Sequence, residues 1–254
     1  MKAMILAAGL GTRLRPLTDD RPKALVEVAG HTLLEIAIRR LRSFGVDEII
    51  VNTHHFADQV AAYLHAKNNF GLHMEVSREE ILLDTGGGLK RAAAFFVGKN
   101  PYSASPFLLH NVDVLSTIDL GQMIRAHMQR GALATLAVQQ RASSRQLIFD
   151  DQGQLCGRRA GRDAEAEWAR TASHPEDLAF AGIHVISPRI FAEMSEEGAF
   201  SIIPTYLRLA AQGEKILAFR AEGSYWRDLG RPESIAQATE DMDNGTYPEG
   251  GNPT

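Results

Sequence analysis

Short apolar runs alternate with segments of helical periodicity through the first half of the chain, and this alternation limits the possible folds more than any other feature. Residues 2–8 form the first apolar run, and residues 33–44 carry apolar side chains at helical spacing before Gly45, which ends the helix as a C-cap glycine does. The alternation predicts an α/β fold with a doubly wound, mostly parallel, mixed sheet. The predicted strands are residues 2–8, 48–52, 72–77, 106–111, 132–139, 179–186 and 216–221, and the predicted helices are residues 33–44, 57–66, 88–96, 120–130, 202–211 and 233–242.

The second half of the chain is less regular. Residues 146–156 predict a β-hairpin around the turn Asp150-Asp151-Gln152-Gly153, and the polar residues 157–177 predict a loop. We expect a single domain over residues 1–242. The last residues, 243–254, are rich in Gly, Pro and Asn, and we expect them to form a frayed tail.

Composition excludes several classes of protein. Apolar residues make up 44% of the chain and the formal net charge is -4, which argues against a nucleic-acid-binding protein because such proteins usually carry a basic face. The sequence contains no run of eighteen apolar residues, so no membrane span is predicted. Cys156 is the only cysteine, so no internal disulfide can form, and we expect a cytoplasmic protein.

A glycine-rich segment follows the first predicted strand and carries two cations. Gly9 and Gly11 let the backbone approach an anion and adopt unusual φ values, so that successive N–H groups can point at phosphate oxygens. Arg13 can donate two parallel hydrogen bonds to a phosphate, and Lys23 adds a mobile point charge. The alternative is an ordinary strand–helix turn with solvated arginines. Leu14 excludes the dinucleotide-binding fingerprint, and the Gly-Lys-Ser/Thr triplet of a Walker A loop does not follow.

Two aspartates indicate a metal site beside this segment. Asp113 follows a predicted buried strand, and ligands of open α/β sheets bind outside the carboxyl ends of strands. Asp228 follows a half-apolar stretch and precedes Gly230. Either aspartate alone could instead cap a helix or a turn. Together with a phosphate cradle they suit Mg²⁺, which binds one or two carboxylates together with substrate phosphate oxygens.

Three segments carry motifs that can be compared with a known family. Residues 6–18 are LAAGLGTRLRPLT and are followed by Pro22-Lys23; residues 84–88 are DTGGG, and residues 226–230 are WRDLG. Together they resemble the sugar-1-phosphate nucleotidylyltransferases: the first segment matches the signature of that family, the second its second glycine loop, and the third its late W-x-D-x-G motif. The resemblance covers residues 1 to about 238. In its short length and in the form of the DTGGG segment, the chain is most similar to the compact bacterial subgroup that includes N-acetylmuramate-1-phosphate uridylyltransferase.

The resemblance implies a Rossmann-like nucleotidyltransferase fold without a β-helix extension, and an enzyme that uses Mg²⁺. Such an enzyme transfers a nucleoside monophosphate from a nucleoside triphosphate, UTP being favoured, to a sugar-1-phosphate and releases pyrophosphate. The implied catalytic residues are Arg13, Lys23, Asp113 and Asp228, the last two also binding the metal; the implied nucleotide contacts are Ala7, Gly9, Gly11, Thr12, Arg13, Asn52, Glu79 (or Glu80), Thr85 and Gly86; and the implied sugar contacts are Asn111, Gly182 and Asp228.

The sequence departs from the family pattern at two places. Most relatives have Gly-Asp at the strand end where this chain has Val112-Asp113, and the lysine that relatives place on the sugar phosphate has no counterpart within residues 158–177, which contain arginines. Three alternatives therefore stay open: a mannose-1-phosphate guanylyltransferase using GTP, a CTP-dependent transferase with an acceptor such as phosphocholine, and an inactive nucleotide-sensing protein. The base, the sugar and the oligomeric state are not determined by the sequence.

Overall fold

The computed structural model describes residues 1–97, 105–161 and 164–247, which form two compact units. The first unit comprises Met1–Asp84, Leu109–Asp119 and Ser224–Thr254, and the second comprises Thr85–Leu108 and Leu120–Gly223. In chain order the elements are β1 (Lys2–Leu6), β2 (Glu27–Val28), β3 (His31–Thr32), α1 (Leu33–Ser43), β4 (Glu48–Thr53), α2 (Ala57–Ala66), β5 (His73–Arg78), α3 (Asp84–Arg91), α4 (Ala93–Phe96), β6 (Phe107–Asn111), β7 (Val114–Ser116), α5 (Leu120–Arg130), β8 (Ala134–Gln139), β9 (Arg145–Phe149), β10 (Leu155–Ala160), β11 (Ala166–Trp168), β12 (Glu176–Ile186), α6 (Ile190–Glu193), α7 (Ile202–Ala211), β13 (Ile216–Arg220), β14 (Trp226–Asp228) and α8 (Pro232–Asp243).

Parallel strands form the sheet of the first unit. Strand β4 pairs in parallel with β1 on one side and with β5 on the other, and β6, which ends in this unit, lies beside β1. Central residues such as Met4, Ile5 and Val51 are fully buried, because strands covered on both faces need apolar side chains on both. The carboxyl ends of these strands therefore lie along one edge, where Leu6 pairs with Asn52 and Asn52 with Ser77.

A two-stranded antiparallel ribbon completes the first unit. Strand β14 pairs with β7 so that Asp228 lies opposite Val114 and Trp226 opposite Ser116. The backbone N–H of Leu229 also donates to the carbonyl of Asp113, at 2.8 Å. The ribbon thereby joins the segment after β6 to a segment more than a hundred residues later.

The second unit is built on mostly antiparallel strands in the order β11-β10-β9-β12-β8-β13. The hairpin predicted over residues 146–156 is confirmed by β9 and β10, which pair in antiparallel. All six residues of β8 are buried between its antiparallel neighbour β12 and its parallel neighbour β13. The stacked rings of Phe96, Phe107 and Phe191 add to the core.

The α/β class and the mixed sheet predicted from the sequence are confirmed, but two local predictions are wrong. The predicted loop at 157–177 contains β11, which pairs with the extended end of β10. The DTGGG segment is not a loop, because α3 begins at Asp84 and includes all three glycines. Their low helix propensity is overcome by contacts: the N–H groups of Gly86 and Gly87 both donate to the carbonyl of Phe200, at 2.8 and 3.2 Å.

The final residues of the described chain include a buried side chain. Tyr247 is 4% exposed, and its ring lies 5.4 Å from that of Tyr225. The single-domain boundary at residue 242 and the frayed tail remain predictions, since the last part of that tail lies outside the described residues. No helix among the described residues is both long and apolar enough to cross a bilayer.

Replacing Gly86 by alanine is expected to destabilise the second unit. An added Cβ would lie 2.4 Å from two ring carbons of Phe200 and 2.9 Å from its carbonyl oxygen, and such overpacking costs about 1–3 kcal/mol. Urea unfolding measures the loss. Gly9→Ala is the control, since a Cβ there meets nothing within 4 Å; equal stability of the two variants would contradict the contact.

Candidate active site

Contacts within the protein define the conformation of the glycine-rich segment after β1. Gly11 has a left-handed φ of 66°, and a Cβ there would lie 2.9 Å from Cγ2 of Thr18 and 3.2 Å from Cβ of Lys23. The hydroxyl of Thr18 donates to the carbonyl of Gly11, at 2.9 Å. A 3₁₀ turn then runs over Thr12–Leu14, with Leu14 fully buried. Only glycine fits at position 11 without strain, whereas Gly9 is exposed and unconstrained.

Arg13 projects from this turn towards Asp228. It is exposed, and its guanidinium lies over Gly230: a Cβ at Gly230 would lie 2.9 Å from Nη2 of Arg13 and 2.6 Å from Oδ1 of Asp228. The same oxygen accepts a hydrogen bond from the N–H of Gly230, at 2.9 Å. Gly230 therefore provides the room in which a cation and a carboxylate approach each other from distant parts of the sequence.

Lys23 forms an ion pair with Asp113. Its ammonium donates to Oδ2 of the aspartate, and the two side chains are 10% and 18% exposed. The short 3₁₀ turn Lys23–Leu25 directs the lysine inward after Pro22. The two charges are thus held at the end of β6, where a shielded ion pair is screened less by salt than one on the surface.

The two aspartates predicted to bind a metal lie on the same ribbon. Asp113 immediately precedes Val114, which is the residue opposite Asp228 in the β7–β14 pairing. Among the described residues, Oδ1 of Asp113 and Oδ2 of Asp228 receive no hydrogen bond, so each carboxylate keeps one oxygen for another ligand. Two carboxylates with available oxygens fit Mg²⁺, which takes its remaining ligands from phosphates and water.

Asn52 and Glu79, predicted to contact the nucleotide, are buried and bonded to the protein. Asn52 is 2% exposed and Glu79 is 4% exposed. Oδ1 of Asn52 accepts from the N–H of Ala7 at 2.7 Å, and its amide donates to Oε1 of Glu79 at 2.8 Å. Oε2 of Glu79 accepts from the N–H of Leu83 at 3.0 Å. Both side chains therefore link strand ends within the first unit.

Three predicted contact residues belong to the second unit. The hydroxyl of Thr85 accepts from the N–H of Ile202 at 3.0 Å, and Gly86 packs against Phe200. Gly182 has a φ of 75° and lies in β12 where the register with β8 shifts, as expected for a β-bulge. The other predicted residues, including the exposed Thr12, lie in the first unit.

A buried histidine, His110, precedes Asn111, and no pattern in the sequence indicates it. Burial, with the nearby charge of Arg40, lowers the pKa of His110 to about 4, so its ring is neutral at pH 7. Nδ1 of the neutral ring lies 2.7 Å from the carbonyl of Asn111 and can donate to it. His110 thereby fixes the last peptide of β6, two residues before Asp113.

One cleft within the first unit lies apart from these residues. It has a volume of about 500 Å³, yet none of Arg13, Lys23, Asp113 and Asp228 lines it. The candidate active site is instead the place where these charged side chains and the ends of the strands converge. The cleft is lined by Ala29, His31, Ile36, Arg39, Arg40, Met242, Asp243 and Tyr247.

Known proteins similar to this chain belong to one enzyme family. The family model described as nucleotidyl transferase matches residues 2–147. The chain is 35% identical to N-acetylmuramate alpha-1-phosphate uridylyltransferase from Caulobacter vibrioides, over 91% of this chain and 93% of that protein. It is 28% identical to mannose-1-phosphate guanylyltransferase from Mycobacterium tuberculosis, over 97% of this chain and 66% of that protein.

Solved structures confirm the fold. A putative glucose-1-phosphate thymidylyltransferase from Bacillus anthracis, crystallised in complex with sucrose, superposes with a TM-score of 0.77 at 17% identity, over 94% of each chain. At that identity the likeness concerns the fold, which is the Rossmann-like one expected from the sequence. Because the family model matches more than half of the chain and a relative with 35% identity aligns with 91% of it, the chain belongs to the nucleotidyl transferase family. Its predicted place among the sugar-1-phosphate nucleotidylyltransferases is confirmed.

Proposed function

We propose that this enzyme transfers a uridylyl group from UTP to a sugar-1-phosphate, with N-acetylmuramate α-1-phosphate as the first candidate sugar. The observation that carries the proposal is the convergence of Arg13, Lys23, Asp113 and Asp228 at one place in the first unit. The choice of UTP and of this sugar follows the relative from Caulobacter vibrioides. A guanylyl transfer to mannose-1-phosphate is the second candidate, favoured by the relative from Mycobacterium tuberculosis.

The reaction needs no nucleophile from the protein. An oxygen of the sugar phosphate attacks the α-phosphorus of the nucleotide, a new P–O bond forms, the bond to the β-phosphate oxygen breaks, and pyrophosphate leaves with the electron pair. The protein has to position two phosphates and neutralise their charge. Two cations and two carboxylates, without an activated serine or cysteine among the described residues of this cluster, suit that task.

Each charged side chain has a proposed task. Arg13, exposed beside Gly230, binds the leaving pyrophosphate, because a guanidinium can donate two parallel hydrogen bonds to phosphate oxygens. Lys23 binds the α-phosphate or the sugar phosphate through its ammonium. Asp113 and Asp228 hold Mg²⁺, which when bound neutralises phosphate charge. Gly9 and Gly11 let backbone N–H groups reach the triphosphate.

Pyrophosphate release tests the proposed reaction. We expect release with Mg²⁺, UTP and one sugar-1-phosphate in a panel of the four nucleoside triphosphates and several sugar phosphates. Asp113→Asn, which keeps the shape of the side chain but removes its charge, is expected to lower kcat by roughly 10²-fold or more. Asp151→Asn, in the exposed turn of the hairpin, is the control. Release with GTP and mannose-1-phosphate alone would select the second candidate, and silence throughout would contradict the reaction.

Lys23→Met is expected to lower kcat by roughly 10²- to 10³-fold, the usual effect of losing a charged donor at a reacting phosphate or oxyanion. The fold should survive, since Asp113 keeps contact with water. Steady-state kinetics and thermal unfolding check both statements. Lys2→Met, which removes a lysine paired with Glu48 at 3.6 Å on the surface, is the matched control; equal activities of the two variants would remove Lys23 from the mechanism.

Gly9→Ala is expected to weaken UTP binding while leaving the unfolding temperature unchanged. A Cβ at this position meets no protein atom within 4 Å, so a methyl group would only obstruct a ligand. Gly11→Ala, by contrast, is expected to lower both binding and stability because of its φ of 66° and its contact with Thr18. Calorimetry with UTP measures the binding, and full UTP affinity in Gly9→Ala would contradict the proposed phosphate cradle.

A further inference from the structure

Glu79 is held by hydrogen bonds at every polar atom that it offers. Its N–H donates to the carbonyl of Thr53 at 2.7 Å, and its carbonyl lies 2.8 Å from Nδ1 of His54. Its two carboxylate oxygens accept from Asn52 and from the N–H of Leu83. With 4% exposure and no cation within ion-pair distance among the described residues, this carboxylate has neutral donors as its partners. Burying a charge in this way is costly, which indicates a specific task.

The direction of each hydrogen bond in this network is fixed by its two ends. The N–H of Ala7 can only donate, so Asn52 must present its amide oxygen there and its NH₂ group to Glu79. The N–H of Leu83 can also only donate. Glu79 must therefore accept on both oxygens. With an amide at position 52 and a carboxylate at position 79, all three hydrogen bonds have one donor and one acceptor. Turning the amide of Asn52 over would break two of them.

The two ends of the network are backbone groups beside the proposed nucleotide site. Ala7 begins the glycine-rich segment directly after β1, and Leu83 directly precedes Asp84, the first residue of the DTGGG segment. Ala7 is itself one of the nucleotide contacts that the family resemblance implies. We infer that Asn52 and Glu79 are positioning residues that fix the distance between the backbone at Ala7 and the backbone at Leu83, both in the first unit, and thereby set the selectivity of the nucleotide site among bases. This inference rests on the proposed function.

Exchanging the two functional groups tests the inference. Asn52→Asp alone places two carboxylates side by side. Glu79→Gln alone leaves one donor facing another donor, whichever way the amides turn. In the double variant Asn52→Asp/Glu79→Gln the introduced carboxylate accepts from Ala7 and from the introduced amide, whose oxygen accepts from Leu83. Every contact is then satisfied again with the net charge unchanged.

The expected result is a loss in each single variant and its recovery in the double variant. Each single substitution should raise the Kd and KM for UTP roughly tenfold and reduce the ratio of kcat/KM for UTP to that for the next-best nucleotide, while kcat at saturation changes less. The double variant should return all three quantities to within roughly threefold of the parent. Glu75→Gln, which makes the same chemical change at an exposed position of β5, is the control.

The readouts separate positioning from a merely structural role. A smaller folded fraction lowers kcat for every nucleotide alike and leaves the ratio between nucleotides unchanged, so thermal unfolding is measured alongside. Single variants with the parent's UTP affinity and nucleotide ratio, or a folded double variant that recovers neither, would overturn the inference. UTP affinity is read by calorimetry without turnover. A parent chain that binds UTP but releases no pyrophosphate overturns the proposed reaction, while the binding constants still decide this inference; a parent that binds no nucleotide overturns both.

Discussion

The ion pair between Lys23 and Asp113 joins segments 90 residues apart, and the rest of the candidate site is arranged around it. The glycine-rich segment is anchored next to it, because the Cβ of Lys23 and the side chain of Thr18 leave room for nothing larger than Gly11. On the other side, the carbonyl of Asp113 accepts from Leu229, which brings Asp228 and Gly230 to the same place. Arg13 then lies over Gly230. Together these contacts bring the four charged side chains to one part of the first unit.

The positions of the long helices could be predicted from the sequence. The helices over residues 57–66, 120–130 and 202–211 have the predicted limits, because their apolar spacing reports burial directly. Strands β7, β11 and β14 have only three residues each, which is too short for a periodicity, and their pairing depends on distant partners. The helical DTGGG segment was missed because Phe200, more than a hundred residues away, supplies the acceptor that keeps it helical.

The candidate site was predictable in its residues but not in all their tasks. Motif spacing was sufficient to select Arg13, Lys23, Asp113 and Asp228, and the structure brings all four together. Asn52 and Glu79 were also selected, yet polarity at a strand end does not tell whether a side chain faces a ligand or a backbone group. In the structure both side chains are buried and hydrogen-bonded to the protein, and their contact with a nucleotide stays a prediction. His110 was missed since a buried neutral histidine leaves no pattern in sequence.

The proposed reaction is a single displacement, in which the protein positions the phosphates and does not attack them. The stereochemical course at the α-phosphorus tests this most directly, using UTP made chiral there by one sulfur substitution and the sugar phosphate that supports release. A direct attack by the sugar phosphate predicts inversion of configuration in the nucleotide sugar. Retention would mean two successive displacements through a nucleotide bound covalently to the protein, and would contradict a site made of Arg13, Lys23 and two carboxylates.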